Sequence, residues 1–171
     1  YSALVSSGSL KFEDALYLLH QRGTAMQEAV PVGQGSMAAI LGTKIDLIKE
    51  IINLNLKQND ICEIANDNAE GQVIISGKKE SVERIETVLK EKKIKSIQLK
   101  VSAPFHCTLM KPAAEYMTNK INNIEFKIPK HKIISNVTAD SITDPEIIKK
   151  LLIKQIYSSV KWRESILKMS K

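Results

Sequence analysis

From Ser36 to Val101, short apolar runs alternate with amphipathic stretches, and their order restricts the folds open to the chain. Ser36–Leu41 reads as a strand, Ile45–Leu54 as a helix with isoleucines at helical spacing, and Ile61–Ala65 as a second strand. Asn66-Asp67-Asn68-Ala69-Glu70-Gly71 has the composition of a turn. Val73–Ser76 follows as a strand ended by Gly77. Ser81–Lys92 reads as a helix with Val82, Ile85, Val88 and Leu89 inward. Ile94–Val101 reads as a last strand, in which Ile97, Leu99 and Val101 alternate.

The resulting order, βαββαβ, is that of a ferredoxin-like split βαβ module. This arrangement hosts many functions, so it sets a fold and not an activity. Pro31 and Gly33-Gln34-Gly35 mark its upstream boundary. Before them, Tyr1–Val5 reads as the end of a helix stopped by Ser6-Ser7-Gly8. Because that opening looks like a helix already under way, the natural protein is expected to extend upstream. A second helix opens at Ser9 or Lys11, with Glu13 and Asp14 suited to its first turn. Phe12, Ala15, Leu16, Leu19, Gly23 and Met26 recur at helical spacing and are expected to form its buried face.

After the module, Leu109–Ile121 reads as a helix, and Lys132–Val137 as a short buried parallel strand. Asp144-Pro145-Glu146 is a helix start with Asp as N-cap and Pro at the first helical position. That helix runs to about Ile156 and carries Gln155 in its last turn, and Trp162–Met169 forms another. The expected architecture is therefore α/β: residues 1–34 and 102–171 are two parts of one layered domain, with the ferredoxin-like unit 35–101 inserted between them.

Composition narrows the function classes. The net charge is +6, but the lysines are scattered among Ile and Glu, and aromatics make up only 5%. A nucleic-acid surface would interleave a basic stripe with exposed aromatics, so no nucleic-acid partner is expected. A basic surface can still attract an acidic protein. No apolar run is long enough to span a bilayer, so no membrane partner is expected either. Cys62 and Cys107 lack metal-ligand spacing and point to a reducing compartment.

Two residues carry the chemistry. His106 follows the run from Ile94 through Ser102-Ala103-Pro104-Phe105. Proline fixes its own φ and pushes Ala103 to an extended conformation, which leaves His106 just past a rigid strand-to-helix corner. A histidine there can face a crevice and move protons near neutral pH, or simply cap a loop. Arg22 lies on or beside the apolar flank of its helix, with no acid three or four positions away to pair with it. A half-buried guanidinium needs a carboxylate from elsewhere, either a distant Asp or Glu or a ligand.

Several ordered segments resemble one family. They are Tyr1-Ser2-Ala3-Leu4-Val5; Gln21-Arg22-Gly23 with Met26-Gln27-Glu28-Ala29; Gly35-Ser36-Met37-Ala38-Ala39-Ile40; Asn66-x-Asn68-x-x-Gly71 through Gly77; Val101-Ser102-Ala103-Pro104-Phe105-His106; Asn136-Val137-Thr138-Ala139; and Gln155 with Val160 and Trp162. In order and spacing the chain resembles the malonyl-CoA:acyl-carrier-protein transacylases of bacterial-type fatty-acid synthesis, with acyltransferase domains of polyketide-type synthases as near relatives.

The resemblance implies an α/β-hydrolase-like acyltransferase subdomain carrying a ferredoxin-like insertion. It implies transfer of malonyl from coenzyme A to the phosphopantetheine thiol of acyl carrier protein, through a malonyl-serine. The family's Gly-His-Ser-Leu-Gly-Glu serine motif does not occur in these residues and would lie upstream, so the 171 residues alone are expected to be inactive. His106 is implied as the base and Gln155, or its carbonyl, as the group that orients it. Arg22 is implied to bind the malonyl carboxylate, with Met26 and Phe105 lining its pocket. Asn66 and Asn68 are implied to contact coenzyme A, and Val101 is implied among the substrate-binding residues. No cofactor is implied beyond the coenzyme A thioester substrate, and the expected protein is a cytoplasmic monomer. Cys107 and Ser159 stand where the family usually has serine and proline.

Overall fold

The computed structural model describes residues 1–170 and has a mixed α/β fold. Two helices open it, α1 (Ser2–Ser6) and α2 (Phe12–Glu28). Then come β1 (Gly35–Leu41), α3 (Ile45–Asn55), β2 (Cys62–Ala69), β3 (Gln72–Lys78), α4 (Lys79–Glu91) and β4 (Lys95–Gln98). A 3-10 turn, Thr108–Met110, leads into α5 (Lys111–Asn122). The two-residue strands β5 (Ile133–Ile134) and β6 (Ser141–Ile142), α6 (Pro145–Gln155) and α7 (Trp162–Met169) complete the chain. No helix is long and apolar enough to cross a membrane among the described residues.

The first four strands form one antiparallel sheet in the order β2-β3-β1-β4. Strand side chains alternate between faces, so Ala38 and Ile40 of β1 share a face with their partners Ile75 and Val73 of β3. Helices α3 and α4 bury Ile48, Ile51, Val82, Ile85 and Leu89 against that face in one cluster. The opposite face carries Met37, Glu63 and Ser76. Met37 and Ser76 are buried too, because the loop and 3-10 turn after β4 lie over them. A second apolar cluster joins residues from both flanks, among them Leu4, Leu18, Met26, Met117, Ile148 and Ile156.

Four expectations need correction. The polar run Asn66–Ala69 is not a turn; it belongs to β2, and only Glu70-Gly71 turns the chain. Bulges at Ile64/Asn66 and Asp67/Ala69 let it stay paired with β3, and a parallel bridge ties Asn66 to Val160. Strand β4 ends at Gln98, and its apolar alternation points outward, with Ile97 at 46% and Val101 at 42% exposure. In place of a buried parallel strand over 132–137 there is the short antiparallel β5–β6 pair. On α2 the buried residues are Ala15, Leu18, Ala25 and Met26, while Phe12, Leu16 and Leu19 are exposed. Both sets fit helical spacing, so periodicity could not choose between adjacent stripes.

Candidate active site

His106 sits where the sheet unit returns to the helices. Ala103 and Pro104 are buried, the Phe105 amide donates to the Ala103 carbonyl at 3.1 Å, and the Cys107 thiol donates to the Pro104 carbonyl at 3.1 Å. These bonds wind the chain so tightly that His106 adopts φ +60°, the left-handed region. The Pro104 ring packs on Gly35 at the start of β1, where a Cβ would overlap it. On the other side, the Thr108 amide and hydroxyl both donate to the Glu63 carboxylate of β2, at 3.0 and 2.6 Å. The corner is thus held by two strands of the sheet.

The His106 ring is half-buried, and its Nδ1 lies 3.0 Å from the Gln155 carbonyl at the end of α6. Burial pushes its pKa below the ordinary value; the bond to Gln155 opposes this, and the Arg22 charge adds to the lowering. The ring is therefore neutral at pH 7. A carbonyl can only accept, so Nδ1 carries the proton and Nε2 keeps a free lone pair, as a general base requires.

Arg22 approaches the same residue from α2. Its Nη2 donates to Gln155 Oε1 at 3.1 Å, and Gln155 Nε2 donates to Asn136 Oδ1 at 3.3 Å. Burial lowers the Arg22 pKa, yet guanidinium remains protonated. Arg22 joins none of the ion pairs among the described residues. Its Nε is buried with no partner, and the Tyr1 hydroxyl is buried and unpartnered as well. A cavity of about 130 Å³ is lined by Tyr1 and Gln155 together with Leu4, Asn136, Ile148 and Leu152, while Arg22 and His106 are not among its lining residues. A half-buried cation with no carboxylate partner among the described residues, next to an oriented neutral imidazole, can receive an anionic group and move a proton at one site.

The structure brings together His106, Gln155 and Arg22. Phe105 is half-buried beside His106 and packs on the flank cluster. Met26, one turn after Arg22, lies inside that cluster at 3% exposure. Asn66 and Asn68 are half-buried on β2, and Val101 is exposed after β4. Sequence reasoning missed Asn136 and Glu63, whose contacts span 19 and 45 residues. It also missed the ion pair between Asp67 of β2 and Arg163 of α7. The composition of Asn136-Val137-Thr138-Ala139 marked a segment, and nothing in it indicated the partner. Cys62 and Cys107 are both free and buried, with thiols pushed up to about 12 and about 11 by burial, so neither is a thiolate at neutral pH.

Residues 1–171 match the family described as the acyl transferase domain. The chain belongs to that family. It is 44% identical over 170 residues to the malonyl CoA-acyl carrier protein transacylase of Bacillus subtilis (strain 168), covering 99% of this chain and 54% of that protein. The solved transacylase of the same description from Coxiella burnetii superposes with a TM-score of 0.95 at 40% identity, over 99% of this chain and 54% of that one. A malonyl-transacylase solved in complex with its type II polyketide-synthase acyl-carrier protein is also similar, with a TM-score of 0.95 at 38% identity, over 99% of this chain and 55% of that one. The acyl transferase chain spans about half the length of the curated relatives it matches.

Proposed function

We propose that this chain is the histidine- and arginine-bearing part of an enzyme that transfers malonyl from coenzyme A to the phosphopantetheine thiol of an acyl carrier protein in fatty-acid synthesis. One observation carries the reading: Gln155 touches both a neutral, oriented imidazole and a half-buried guanidinium that has no carboxylate partner among the described residues. Such a site suits a substrate with a thioester at one end and a carboxylate at the other.

In this reading a serine from outside these residues attacks the malonyl thioester carbonyl. His106 Nε2 takes the serine proton and delivers it to the departing coenzyme A sulfur as the C–S bond breaks. The carrier thiol then attacks the malonyl-serine ester, His106 takes its proton, and that proton returns to the serine oxygen. The Gln155 carbonyl holds the proton-bearing Nδ1 throughout, the orienting role that an acid fills in a Ser-His-Asp triad. Arg22 pairs with the malonyl carboxylate through parallel charge-assisted hydrogen bonds. Phe105 and Met26 bound the acyl pocket, Asn66 and Asn68 face the coenzyme A side, and Val101 is among the substrate-binding residues.

The strand order β2-β3-β1-β4 supports a ferredoxin-like subdomain over 35–101, inserted between parts 1–34 and 102–171 of an α/β-hydrolase-like acyltransferase subdomain. The net charge of +6 suits an acidic carrier protein, and the reading is of a cytoplasmic monomer without nucleic-acid or membrane partners. The test is acyl transfer by the full-length protein. His106→Ala should lower malonyl transfer about 10²–10⁴-fold. Arg22→Ala should lose malonyl transfer while acetyl transfer holds. Equal loss of both acyl groups in Arg22→Ala would sink the carboxylate reading.

A further inference from the structure

We infer that Asn136 is a specificity-positioning residue: by accepting a hydrogen bond from Gln155 it fixes the Gln155 amide with its oxygen toward Arg22, and so keeps the guanidinium aimed and unneutralised for a substrate carboxylate. The inference rests on the acyl-transfer reading above.

The polarity of the three groups follows from one residue. Arginine has donors only, so the Gln155 atom 3.1 Å from Arg22 Nη2 is the oxygen. The Gln155 NH2 therefore faces the other way, toward Asn136. Two amide NH2 groups cannot satisfy each other, so the Asn136 atom at 3.3 Å is its oxygen. Each amide is thus oriented by its neighbour, and the direction of the chain is set by the one member that cannot reverse.

Asn136 is itself held by backbone. Its carbonyl accepts from the Lys161 amide at 2.8 Å. The turn around it is closed by the Ala139 amide on the Ser135 carbonyl at 2.8 Å and the Ser135 amide on the Asp140 carbonyl at 3.0 Å. Without Asn136, the Gln155 NH2 loses its acceptor and the amide is oriented by Arg22 alone, so its oxygen is held toward the guanidinium less firmly. The reverse orientation sets NH2 against guanidinium, donor against donor.

The choice of an amide at 155 has the same logic. A carboxylate there would hold Arg22 more strongly but would neutralise it, leaving little attraction for a substrate anion. An amide orients the cation and leaves its charge. Because the Gln155 backbone carbonyl, and not its side chain, holds His106, reversing the amide disturbs the anion clamp and spares the base.

This separation makes the role testable in the full-length enzyme, with kcat/KM measured for malonyl-CoA and acetyl-CoA on the same carrier protein. Asn136→Leu has similar volume and no acceptor. Malonyl kcat/KM should fall about tenfold, the loss of roughly one hydrogen bond, with acetyl within about twofold. Asn136→Asp is acceptor-only when ionised and should keep the malonyl preference within about threefold. Asn136→Ala, an independent variant should Asn136→Leu fail to fold, also removes the acceptor and should lower the malonyl-to-acetyl ratio in the same direction. A wild type that moves neither acyl group sinks the acyl-transfer reading and this role with it. A wild type that prefers malonyl, with a ratio unmoved by Asn136→Leu, or with both substrates equally impaired in Asn136→Leu or in Asn136→Ala, overturns the role of Asn136 alone. Loss of preference in Asn136→Asp as large as in Asn136→Leu does the same.

Discussion

Replacing Arg163 by alanine should destabilise the fold by about 3 kcal/mol. The Asp67 carboxylate is 4% exposed, and it receives Arg163 Nε at 3.0 and 3.1 Å and Nη2 at 2.7 Å. Truncation leaves a buried carboxylate without its cation, which costs roughly 3–5 kcal/mol. Arg163 is itself 33% exposed, so water can enter the space it leaves, and the lower end of that range applies. The loss reaches beyond the pair, because Asp67 also lies in the stretch where β2 meets residue 160. The Asp67 amide donates to the Val160 carbonyl at 2.9 Å, and the Val160 amide donates to the Ala65 carbonyl at 2.8 Å. Urea unfolding of the 171-residue chain, followed by circular dichroism, gives the magnitude. A loss of about 3 kcal/mol corresponds to a Tm drop of roughly 6–12 °C for a domain of this size. The double variant Asp67→Leu/Arg163→Leu removes both charges and their desolvation, and should recover most of the loss. If Arg163→Ala cost under about 1 kcal/mol, the pair would behave as an exposed surface bridge, and the argument from burial would be wrong.

Gly35→Ala should cost about 1–3 kcal/mol in the same unfolding assay, since the new Cβ overlaps the rigid Pro104 ring. Lys93→Gly should stabilise by about 0.5–1 kcal/mol: Lys93 is exposed at φ +58° just past α4, where the Ile94 amide closes on the Leu89 carbonyl, and glycine fits that conformation without strain. Burial lowers the His106 pKa below its unfolded value of about 6.5. The unfolded chain therefore binds that proton first, and stability should fall as pH drops below about 6.5, a slope that His106→Gln should flatten in pH-dependent unfolding. Glu63→Gln can offer Thr108 only one acceptor oxygen and should cost about 1–2 kcal/mol, read by the same denaturation.

What the sequence discloses depends on the range of the forces involved. The α6 start was legible because its cause is local: Asp144 accepts from the Glu146 and Ile147 amides at 2.8 and 3.1 Å, two and three residues away. The βαββαβ order was legible because each element repeats its apolar residues at its own period. The stretch Asn66–Ala69 misled because its strand conformation comes from partners, β3 on one side and Val160 on the other, and side-chain polarity records neither. Ile97 misled because an apolar residue in a four-residue edge strand fits either face. At the site, Arg22 announced itself through a missing local acid, and His106 through its proline corner. Asn136, Glu63 and Asp67 act across 19, 45 and 96 residues, and no spacing rule reaches that far.

The left-handed backbone at His106 explains why the site lies at this seam. A non-glycine residue at φ +60° carries a cost of roughly 1–2 kcal/mol and persists only where its surroundings over-determine it. Here the restraints come from three directions. Gly35 of β1 sets the Pro104 ring, Glu63 of β2 sets Thr108, and the Gln155 carbonyl of α6 sets the ring itself. Arg22 and Gln155 belong to elements of the flank cluster, whereas Gly35 and Glu63 belong to the sheet. A displacement of the sheet relative to the flanks would therefore drag the imidazole away from Gln155 while leaving the Arg22–Gln155–Asn136 chain in place. In the proposed reading the anion clamp is internal to one unit but His106 is held by both, so the registration of sheet against helices is the structural variable on which the proposed proton transfer would depend.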